Sequence, residues 1–297
     1  MAELLLGKEV NDALCASLTA RTAALRSSGI TPTLALLRIG ENPADLSYES
    51  GACKRAEAVG VAIRRVVLPE SVEKAEVLSA IDALNADASV HGVLLFRPLP
   101  QHLKADSDEI CNRLASEKDV DGMTDLSAAG VFEGRSDLGF APCTPAACME
   151  ILDHYGIDCT GKNAVVIGRS PVVGKPAAMM LLKRNATVTV CHTKTVNTAA
   201  LCRSADLIIT AAGALNSLTE EFVRPGQVVL DVSINWDENK PNAKGGMGAI
   251  AGDATFSAVE PIVGAITPVP GGVGSVTTSV LMKHVIEAAE RAARRLP

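Results

Sequence analysis

Apolar and polar residues alternate between strand-like and helix-like patterns in the first third of the chain. Short apolar runs at residues 33–39, 61–68 and 92–96 have the length of buried strands. The stretches at 8–27, 43–59 and 72–85 have helical spacing, and Gly29 and Gly60 stand where two of these helices would end. This alternation predicts a parallel sheet covered by helices.

The alternation returns after an interruption at residues 118–142. That segment is polar and rich in glycine, and long irregular segments in compact folds are usually functional or interdomain. Beyond it we expect helices at 145–155, 172–183 and 275–295 and strands at 164–167, 187–191, 206–210 and 228–232. The sequence therefore predicts an α/β protein of two domains, residues 1–141 plus 275–297 and residues 142–274, in which the C-terminal helix completes the first domain.

Composition and charge exclude several kinds of partner. Acidic residues (34) outnumber basic residues (28), and only 3% of the chain is aromatic, so the side chains that bind nucleic acid are scarce. No apolar run approaches the roughly 18 residues of a membrane span, and the run near Met1 is too short for a signal segment. We expect a cytoplasmic protein without nucleic-acid or membrane partners.

The cysteines and histidines show no metal-binding pattern. Eight cysteines are spread along the chain without a Cys-x-x-Cys pair, and the five histidines lack the spacing of metal ligands. We therefore expect free, mostly buried thiols and no metal site.

A glycine-containing turn, Gly168-Arg-Ser-Pro-Val-Val-Gly-Lys-Pro176, follows a predicted strand and opens a predicted helix. Such a turn lets backbone N–H groups approach a pyrophosphate at a helix N-terminus. It departs from the usual G-x-G-x-x-G, because Ser170 replaces the second glycine and the last glycine is displaced to Gly174. This segment alone is consistent with a dinucleotide site and with a plain tight turn.

The end of the next strand bears on the choice between NAD and NADP. An acidic residue there would bind the ribose 2′-hydroxyl of NAD. The sequence at 190–195 has no carboxylate, whereas Arg169, Thr193 and Lys194 suit a 2′-phosphate. These residues favour NADP, with a merely solvated basic turn as the alternative. We place His192 in the adenosine pocket rather than as a catalytic base.

Two further segments are candidates for binding a flat ligand. The run at 267–274 contains five Gly or Pro residues directly before a helix, which permits close backbone approach but also suits a hinge. Asp119 and Asp121 flank Val120, and a carboxylate on a loop can accept two N–H bonds from an aminopyrimidine-like edge. An Asp-x-Asp-Gly sequence is otherwise typical of a turn.

Taken together, these motifs resemble the bifunctional methylenetetrahydrofolate dehydrogenase/cyclohydrolase family over essentially the whole chain. The matching segments are Gly40–Ala44 with Tyr48, Lys118–Gly122, Pro142–Pro145, Gly168–Pro176, Asp231–Asn235, Gly252-Asp253 and Thr267–Gly274. The resemblance implies a first domain completed by the last helix and a Rossmann-type second domain. It also implies a homodimer and a folate site in the cleft between the domains.

The resemblance also assigns residues. Asp121 would hold the pterin ring and Tyr48 would stack over the folate, which makes these two the candidate catalytic residues, while Pro270 and Gly271 would border the substrate. The positions that contact the dinucleotide in the family are occupied by Thr144, Gly168, Arg169, Ser170, Thr193, Gly213, Ile234 and Thr277.

The chain departs from the family at two positions. Members with both activities carry a Lys four residues after the Tyr and a Gln at the end of the third strand, where this chain has Ala52 and Phe96. Lys54 is turned about 200° away from position 52 on a helix and should face elsewhere. Arg97 should point away from the side of Phe96 on a strand. Its family counterpart nevertheless lies near the substrate, so Arg97 remains a candidate substrate-binding residue and replacement charge.

Chemistry indicates which activity suffers from these departures. Hydride removal from the one-carbon bridge needs mainly correct positioning of the nicotinamide. Hydrolysis of the methenyl cation needs a titratable group nearby, which Ala52 and Phe96 cannot supply. We therefore predict NADP-dependent oxidation of 5,10-methylenetetrahydrofolate to the methenyl form, which is released to a separate cyclohydrolase. The alternatives are a bifunctional enzyme that uses Arg97 or Lys54, and a catalytically silent folate- or nucleotide-binding protein.

Overall fold

The chain folds as two compact units. A computed structural model describes residues 1–242 and 246–294. The six-stranded unit contains Met1–Asp12 and Thr144–Thr277, and the three-stranded unit contains Ala13–Cys143 and residues 278–294. The predicted helix end at residue 295, and the predicted domain membership of 295–297, lie outside the described residues.

Helices and strands alternate along the described part of the chain. The strands are β1 (Glu3–Leu4), β2 (Thr33–Ile39), β3 (Ala62–Leu68), β4 (Gly92–Leu95), β5 (Asn163–Ile167), β6 (Thr187–Cys191), β7 (Leu207–Thr210), β8 (Val228–Asp231), β9 (Asn235–Pro241), β10 (Met247–Ala251) and β11 (Ala265–Ile266). The helices are α1 (Gly7–Ser27), α2 (Pro43–Val59), α3 (Lys74–Ala86), α4 (Ser107–Asn112), α5 (Asp125–Glu133), α6 (Cys143–His154), α7 (Gly174–Lys183), α8 (Thr198–Ser204), α9 (Phe256–Val259) and α10 (Val273–Ala293). Across 1–242 and 246–294, no helix combines the length and apolar character that a membrane crossing requires.

β2 is the central strand of the three-stranded unit. It pairs in parallel with both β3 and β4. A strand covered on both faces needs a nearly continuous apolar run, and residues 34–39 are buried and apolar except for Arg38. Ala35, Leu37 and Ile39 form one core with apolar residues of α3 and β4.

Sequence signals fix both ends of α2, the helix that carries Tyr48. The side-chain oxygen of Asn42 accepts the N–H of Ala44 at 2.9 Å, and Pro43 occupies the first turn, where its missing N–H costs nothing. Gly60 ends the helix with φ 78°, a left-handed conformation that favours glycine. The buried residues of this helix are Glu49, Ala52, Ala56 and Val59.

The six-stranded unit contains a parallel sheet of the dinucleotide-binding type. Its strand order is β1-β11-β8-β7-β5-β6, and β9 and β10 form a separate antiparallel pair. β6 lies on one side of β5 and β7 on the other, so the chain reverses its direction across the sheet at β5. Ligands of open α/β sheets bind at the carboxyl ends of the strands at such a point.

The predicted fold class is confirmed, while the amino-terminal segment differs from the predicted division. β1 pairs with β11 in parallel, with Glu3 opposite Ala265 and Leu4 opposite Ile266. Met1–Asp12 therefore belongs to the six-stranded unit and not to the first domain. A strand of two residues is too short for its pattern to be read from sequence.

The segment at 118–142 is less irregular than predicted, because it contains α5. The hydroxyl of Thr124 accepts the N–H of Ser127 at 3.2 Å and caps this helix. Gly130 weakens the helical signal, but a Cβ there would lie 2.8 Å from the carbonyl oxygen of Arg135. The short helix α8 and the polar strand β9 also lack a readable pattern.

Candidate active site

The loop between β5 and α7 packs closely against neighbouring backbone, while the predicted approach of its N–H groups to a pyrophosphate stays a prediction. Gly168 has φ 123°, and a Cβ there would overlap the carbonyl group of Ala211. A Cβ at Gly174 would overlap the carbonyl group of Gly168. The hydroxyl oxygen of Ser170 accepts the N–H of Val173 at 3.1 Å and that of Gly174 at 3.3 Å. Ser170 thus caps the start of α7 in the loop where the usual fingerprint has a second glycine.

The turn after β6 presents cationic side chains to solvent. The N–H of His192 donates to the hydroxyl of Thr195 at 2.9 Å, and the N–H of Lys194 donates to Nδ1 of His192 at 3.1 Å. Nδ1 of His192 is therefore occupied in holding the turn. Thr193, Lys194 and, in the preceding loop, Arg169 are exposed. This arrangement offers positive charge, and no carboxylate, to a ligand at the end of β6.

A cavity of about 220 Å³ in the six-stranded unit joins two groups of predicted residues. It is lined by Ile234, predicted to contact the dinucleotide, and by Pro270 and Gly271, predicted to border the substrate. Gly271 has φ 105°, which explains the glycine at this point of the run. The cavity therefore brings the end of β8 next to the segment before α10.

The other predicted cofactor residues lie in the same unit. Gly213 follows β7 in the left-handed conformation (φ 67°) and donates its N–H to the hydroxyl of Ser233 at 3.1 Å. Thr277 lies in α10, and its hydroxyl donates to the carbonyl of Gly274 at 2.9 Å. Thr144 is half-buried in the first turn of α6. Their contacts with a dinucleotide remain predictions.

In the three-stranded unit, Tyr48 packs against Phe96, one of the two residues predicted to depart from the family. The rings of Tyr48 and Phe96 meet edge to face, with 6.3 Å between centroids and 82° between planes. Ala52 lies one helical turn after Tyr48 and is completely buried, whereas Lys54 is exposed. Burial also raises the pKa of the Tyr48 hydroxyl above its usual value. The surroundings of Tyr48 at positions 52 and 96 are thus apolar.

Arg97 and Asp121 form an ion pair in this unit. Nη2 of Arg97 lies 3.5 Å from Oδ2 of Asp121, and both side chains are partly exposed. Burial raises the pKa of Asp121 to about 6, and the charge of Arg97 opposes that rise. Arg97 is therefore next to the carboxylate predicted to hold the pterin, and the carboxylate titrates close to neutral pH.

Asp119 anchors the loop on which Asp121 stands. It is completely buried and accepts the N–H groups of Met123 at 3.0 Å and Thr124 at 2.8 Å. The hydroxyls of Thr124 and Ser127 donate to it at 2.7 and 2.6 Å. These bonds occupy Asp119, so the turn interpretation holds for Asp119, and Asp121 is left as the candidate ligand group.

Two structurally important carboxylates escape sequence reasoning. Glu49, next to Tyr48, is buried between Arg38 at 3.2 Å and Arg65 at 2.7 Å. Asp253 lies buried under the loops that follow β7 and β8. The sequence marks Glu49 only by its place on the buried face of α2. Asp253 lies in one of the segments that resemble the family, but the resemblance assigns it no role. The predicted folate site between the domains stays a prediction.

The six-stranded parallel sheet and the glycine-containing loop after β5 define a dinucleotide-binding α/β protein. Comparison with known proteins shows to which family it belongs. Residues 142–293 match the model of the tetrahydrofolate dehydrogenase/cyclohydrolase NAD(P)-binding domain, and residues 5–121 match that of the catalytic domain. The chain belongs to the tetrahydrofolate dehydrogenase/cyclohydrolase family, as the sequence analysis predicts.

Individual relatives extend over the full length of the chain. The bifunctional protein FolD of Carboxydothermus hydrogenoformans is 47% identical, with 98% of each chain covered. The crystal structure of the bifunctional FolD of Campylobacter jejuni is 39% identical, with a TM-score of 0.90 and coverage of 98% of this chain and 99% of that one. The Trypanosoma brucei dehydrogenase-cyclohydrolase, solved with NADP and an inhibitor, is 30% identical, with a TM-score of 0.89 and 99% of each chain covered.

Proposed function

We propose that the chain oxidises 5,10-methylenetetrahydrofolate to 5,10-methenyltetrahydrofolate with NADP, and that it has lost the cyclohydrolase activity. The observation that carries the second part is the apolar surroundings of Tyr48. Ala52 is fully buried and Phe96 packs edge-on against the Tyr48 ring. Neither position holds a group that can transfer a proton during ring opening.

Hydride transfer does not need such a group. The nitrogen atoms on either side of the one-carbon bridge stabilise the cation that forms as the hydride leaves. The nicotinamide of bound NADP supplies the hydride acceptor. The protein has to hold the two reactants in register, a task we assign to Tyr48, Asp121 and Arg97 in one unit and to Pro270 and Gly271 in the other.

The preference for NADP rests on charge at the end of β6. Arg169 and Lys194 form no ion pair with another described residue, and Thr193 is exposed beside Lys194. These side chains suit a 2′-phosphate, and the turn has no carboxylate to bind a ribose hydroxyl. The NADP bound in the Trypanosoma brucei relative supports the same preference.

A bifunctional enzyme is the alternative that the names of the relatives favour. It would need a proton-transfer group other than the missing Lys. Arg97 is paired with Asp121, and a guanidinium does not lose its proton in proteins. Lys54 is exposed on a helix whose position 52 is buried. Asp121, with its pKa near 6, is a candidate group for such a role.

A silent binding protein is less well supported. The loop from Gly168 to Gly174 retains the close packing that a dinucleotide site requires. A protein without turnover would bind folate or nucleotide and reduce no cofactor. This outcome is distinguished from both enzymes by the assay described next.

The test is a progress curve with purified protein and methylenetetrahydrofolate, run with NADP and with NAD. Reduced cofactor, methenyl product and formyl product are followed together. We expect one methenyl molecule for each NADPH, faster turnover with NADP, and formyl product only at the buffer rate. Enzyme-accelerated formyl product would support the bifunctional alternative, and an absence of reduced cofactor would support the silent one.

We also propose a homodimer in a reducing compartment such as the cytosol. Trp236 and Met247, in the β9–β10 pair, expose more than 60% of their surface and leave large apolar side chains open to a second copy of the chain. All eight cysteines are free thiols. Light scattering should give twice the mass of one chain, and the mass of a single chain would contradict the dimer.

A further inference from the structure

A single buried carboxylate joins the loops that follow β7 and β8. Asp253 lies just after β10 and is completely buried. Its two oxygens accept hydrogen bonds from the end of β7 and from both loops. The donors are the hydroxyl of Thr210 (2.9 Å), the N–H groups of Ala212 (2.7 Å), Gly213 (3.3 Å) and Ala214 (2.9 Å), the hydroxyl of Ser233 (2.8 Å) and the side-chain amide of Asn235 (3.1 Å).

Ser233 connects the two loops through the same carboxylate. Its hydroxyl donates to Asp253 and accepts the N–H of Gly213 at 3.1 Å. The backbone of Asp253 is itself held, because its N–H donates to Asp231 at 3.1 Å. The six groups bonded to the side-chain oxygens of Asp253 all donate, and an ionised carboxylate is the side chain that only accepts. The shape of both loops therefore depends on this carboxylate.

The position of these loops in the sheet indicates which part of a dinucleotide they serve. A dinucleotide-binding sheet consists of two mononucleotide-binding halves that meet where the strand order reverses. β5 and β6 form the half that carries Arg169, Thr193 and Lys194, which we assign to the adenosine phosphate. β7 and β8 lie on the other side of β5. By this rule their loops, with Gly213 and Ile234, would serve the nicotinamide half.

We propose that Asp253 is a positioning residue for the nicotinamide half of the cofactor site. It fixes the loops at 212–214 and 233–235 without contacting the cofactor itself. Loops held in this way set the nicotinamide in register with the substrate, which rests on the proposed function above. Among the described residues, Asp253 has no hydrogen bond to Arg169, Thr193 or Lys194, so the adenosine half should not depend on it.

Asp253→Asn tests this inference, because an amide places an N–H₂ group against backbone donors. We expect kcat to fall roughly 10- to 100-fold as the nicotinamide loses its register. Binding of 2′,5′-ADP, a fragment that carries only the adenosine phosphate, should keep the wild-type Kd. Unchanged kcat would overturn the inference. Equal weakening of turnover and fragment binding would also overturn it, since a general structural role has that effect.

Asp206→Asn is the matched control. Asp206 accepts the N–H of Asn163 at 3.0 Å and the guanidinium of Arg224 at 3.1 Å, at the opposite ends of the strands. Loss of this carboxylate should leave kcat at the wild-type value, and a fall as large as in the Asp253 variant would overturn the inference.

Ser233→Ala provides a second variant if Asp253→Asn does not fold. It removes the bridging hydroxyl and keeps the carboxylate, so kcat should fall less than expected for Asp253→Asn, with 2′,5′-ADP binding unchanged. A wild-type kcat in Ser233→Ala would count against the inference. The wild-type protein separates the two proposals: failure to reduce NADP contradicts the proposed function, whereas normal reduction with an unaffected Asp253 variant contradicts only the role of Asp253.

Discussion

Two carboxylates separated by a single residue have different tasks in this chain. Asp119 is buried and satisfied by four donors from the end of its loop and the start of α5. Asp121 keeps part of its surface exposed and shares an ion pair with Arg97. The first carboxylate stabilises the loop, and the second is the candidate group for binding a ligand.

The raised pKa of Asp121 leads to a prediction about pH. An ionised carboxylate accepts two N–H bonds from the pterin edge, so kcat/KM for the folate should fall as the pH drops below about 6. Asp121→Asn should lower kcat/KM and remove the inflection near pH 6 from the pH profile. The pH profiles of the two proteins provide the measurement. The prediction fails if the variant retains the wild-type inflection.

The same pKa shift also makes the stability of the fold depend on pH, in the direction opposite to kcat/KM. The pKa of Asp121 rises from 3.8 in the unfolded chain to about 6, so the unfolded state releases its proton first. The contribution of this group to stability is greatest below pH 3.8 and declines as the pH rises through 6. Asp121→Asn should therefore keep or raise the Tm at pH 7, and a clear loss would show that the carboxylate stabilises the fold.

Cofactor preference depends on the turn after β6. Thr193→Asp places a negative charge beside the proposed 2′-phosphate, which should lower the ratio of kcat/KM for NADP to that for NAD by about tenfold or more. Thr187→Asp adds the same charge at the exposed beginning of β6 and serves as the control. An unchanged ratio in Thr193→Asp would show that the 2′-phosphate is bound elsewhere.

At the scale of elements, the packing of helix α2 sets the position of Tyr48, the residue predicted to stack over the folate. One face of this helix is buried and includes Ala52, while Tyr48 stands one turn earlier and packs on Phe96. Glu49 fixes the helix to β2 and β3 through Arg38 and Arg65. The position of Tyr48 thus depends on a buried ion pair as well as on apolar packing.

Removal of Glu49 should destabilise the protein strongly. Glu49→Gln leaves Arg38 buried without its charged partner, and breaking a buried pair costs about 3–5 kcal/mol of unfolding free energy. Glu57→Gln, an exposed position on the same helix, is the control and should change little. Urea denaturation measures the free energy of unfolding of both variants. A similar small effect in the two variants would show that the pair does not hold α2.

Elements with strong periodic patterns could be predicted from the sequence, and those held by tertiary pairing could not. The bounds of β2, α2 and β6 agree with the prediction because apolar runs and capping residues mark them. β1 exists only through its pairing with β11, and Gly130 lies in α5 because of close contact with Arg135. Sequence motifs single out Gly168, Ser170 and Asp121, whose contacts with ligands stay predictions. The donors around Asp253 come from separate segments that only folding brings together.

At the scale of the whole molecule, the proposed loss of cyclohydrolase activity would leave one of the two reactions for which the family is named. The six-stranded unit keeps the strand order and the glycine loop of a dinucleotide site. The three-stranded unit keeps Tyr48 and Asp121 but has apolar side chains at positions 52 and 96. A dehydrogenase of this kind releases methenyltetrahydrofolate, which a separate hydrolytic enzyme must then consume.

The most direct test supplies 5,10-methenyltetrahydrofolate itself and follows its disappearance without any nicotinamide cofactor. The bifunctional FolD of Carboxydothermus hydrogenoformans, a relative with 47% identity, serves as the positive control. We predict that the present chain leaves the decay at the buffer rate, even in a preparation that reduces NADP with methylenetetrahydrofolate. Decay accelerated in proportion to the amount of this protein would contradict the loss of cyclohydrolase activity.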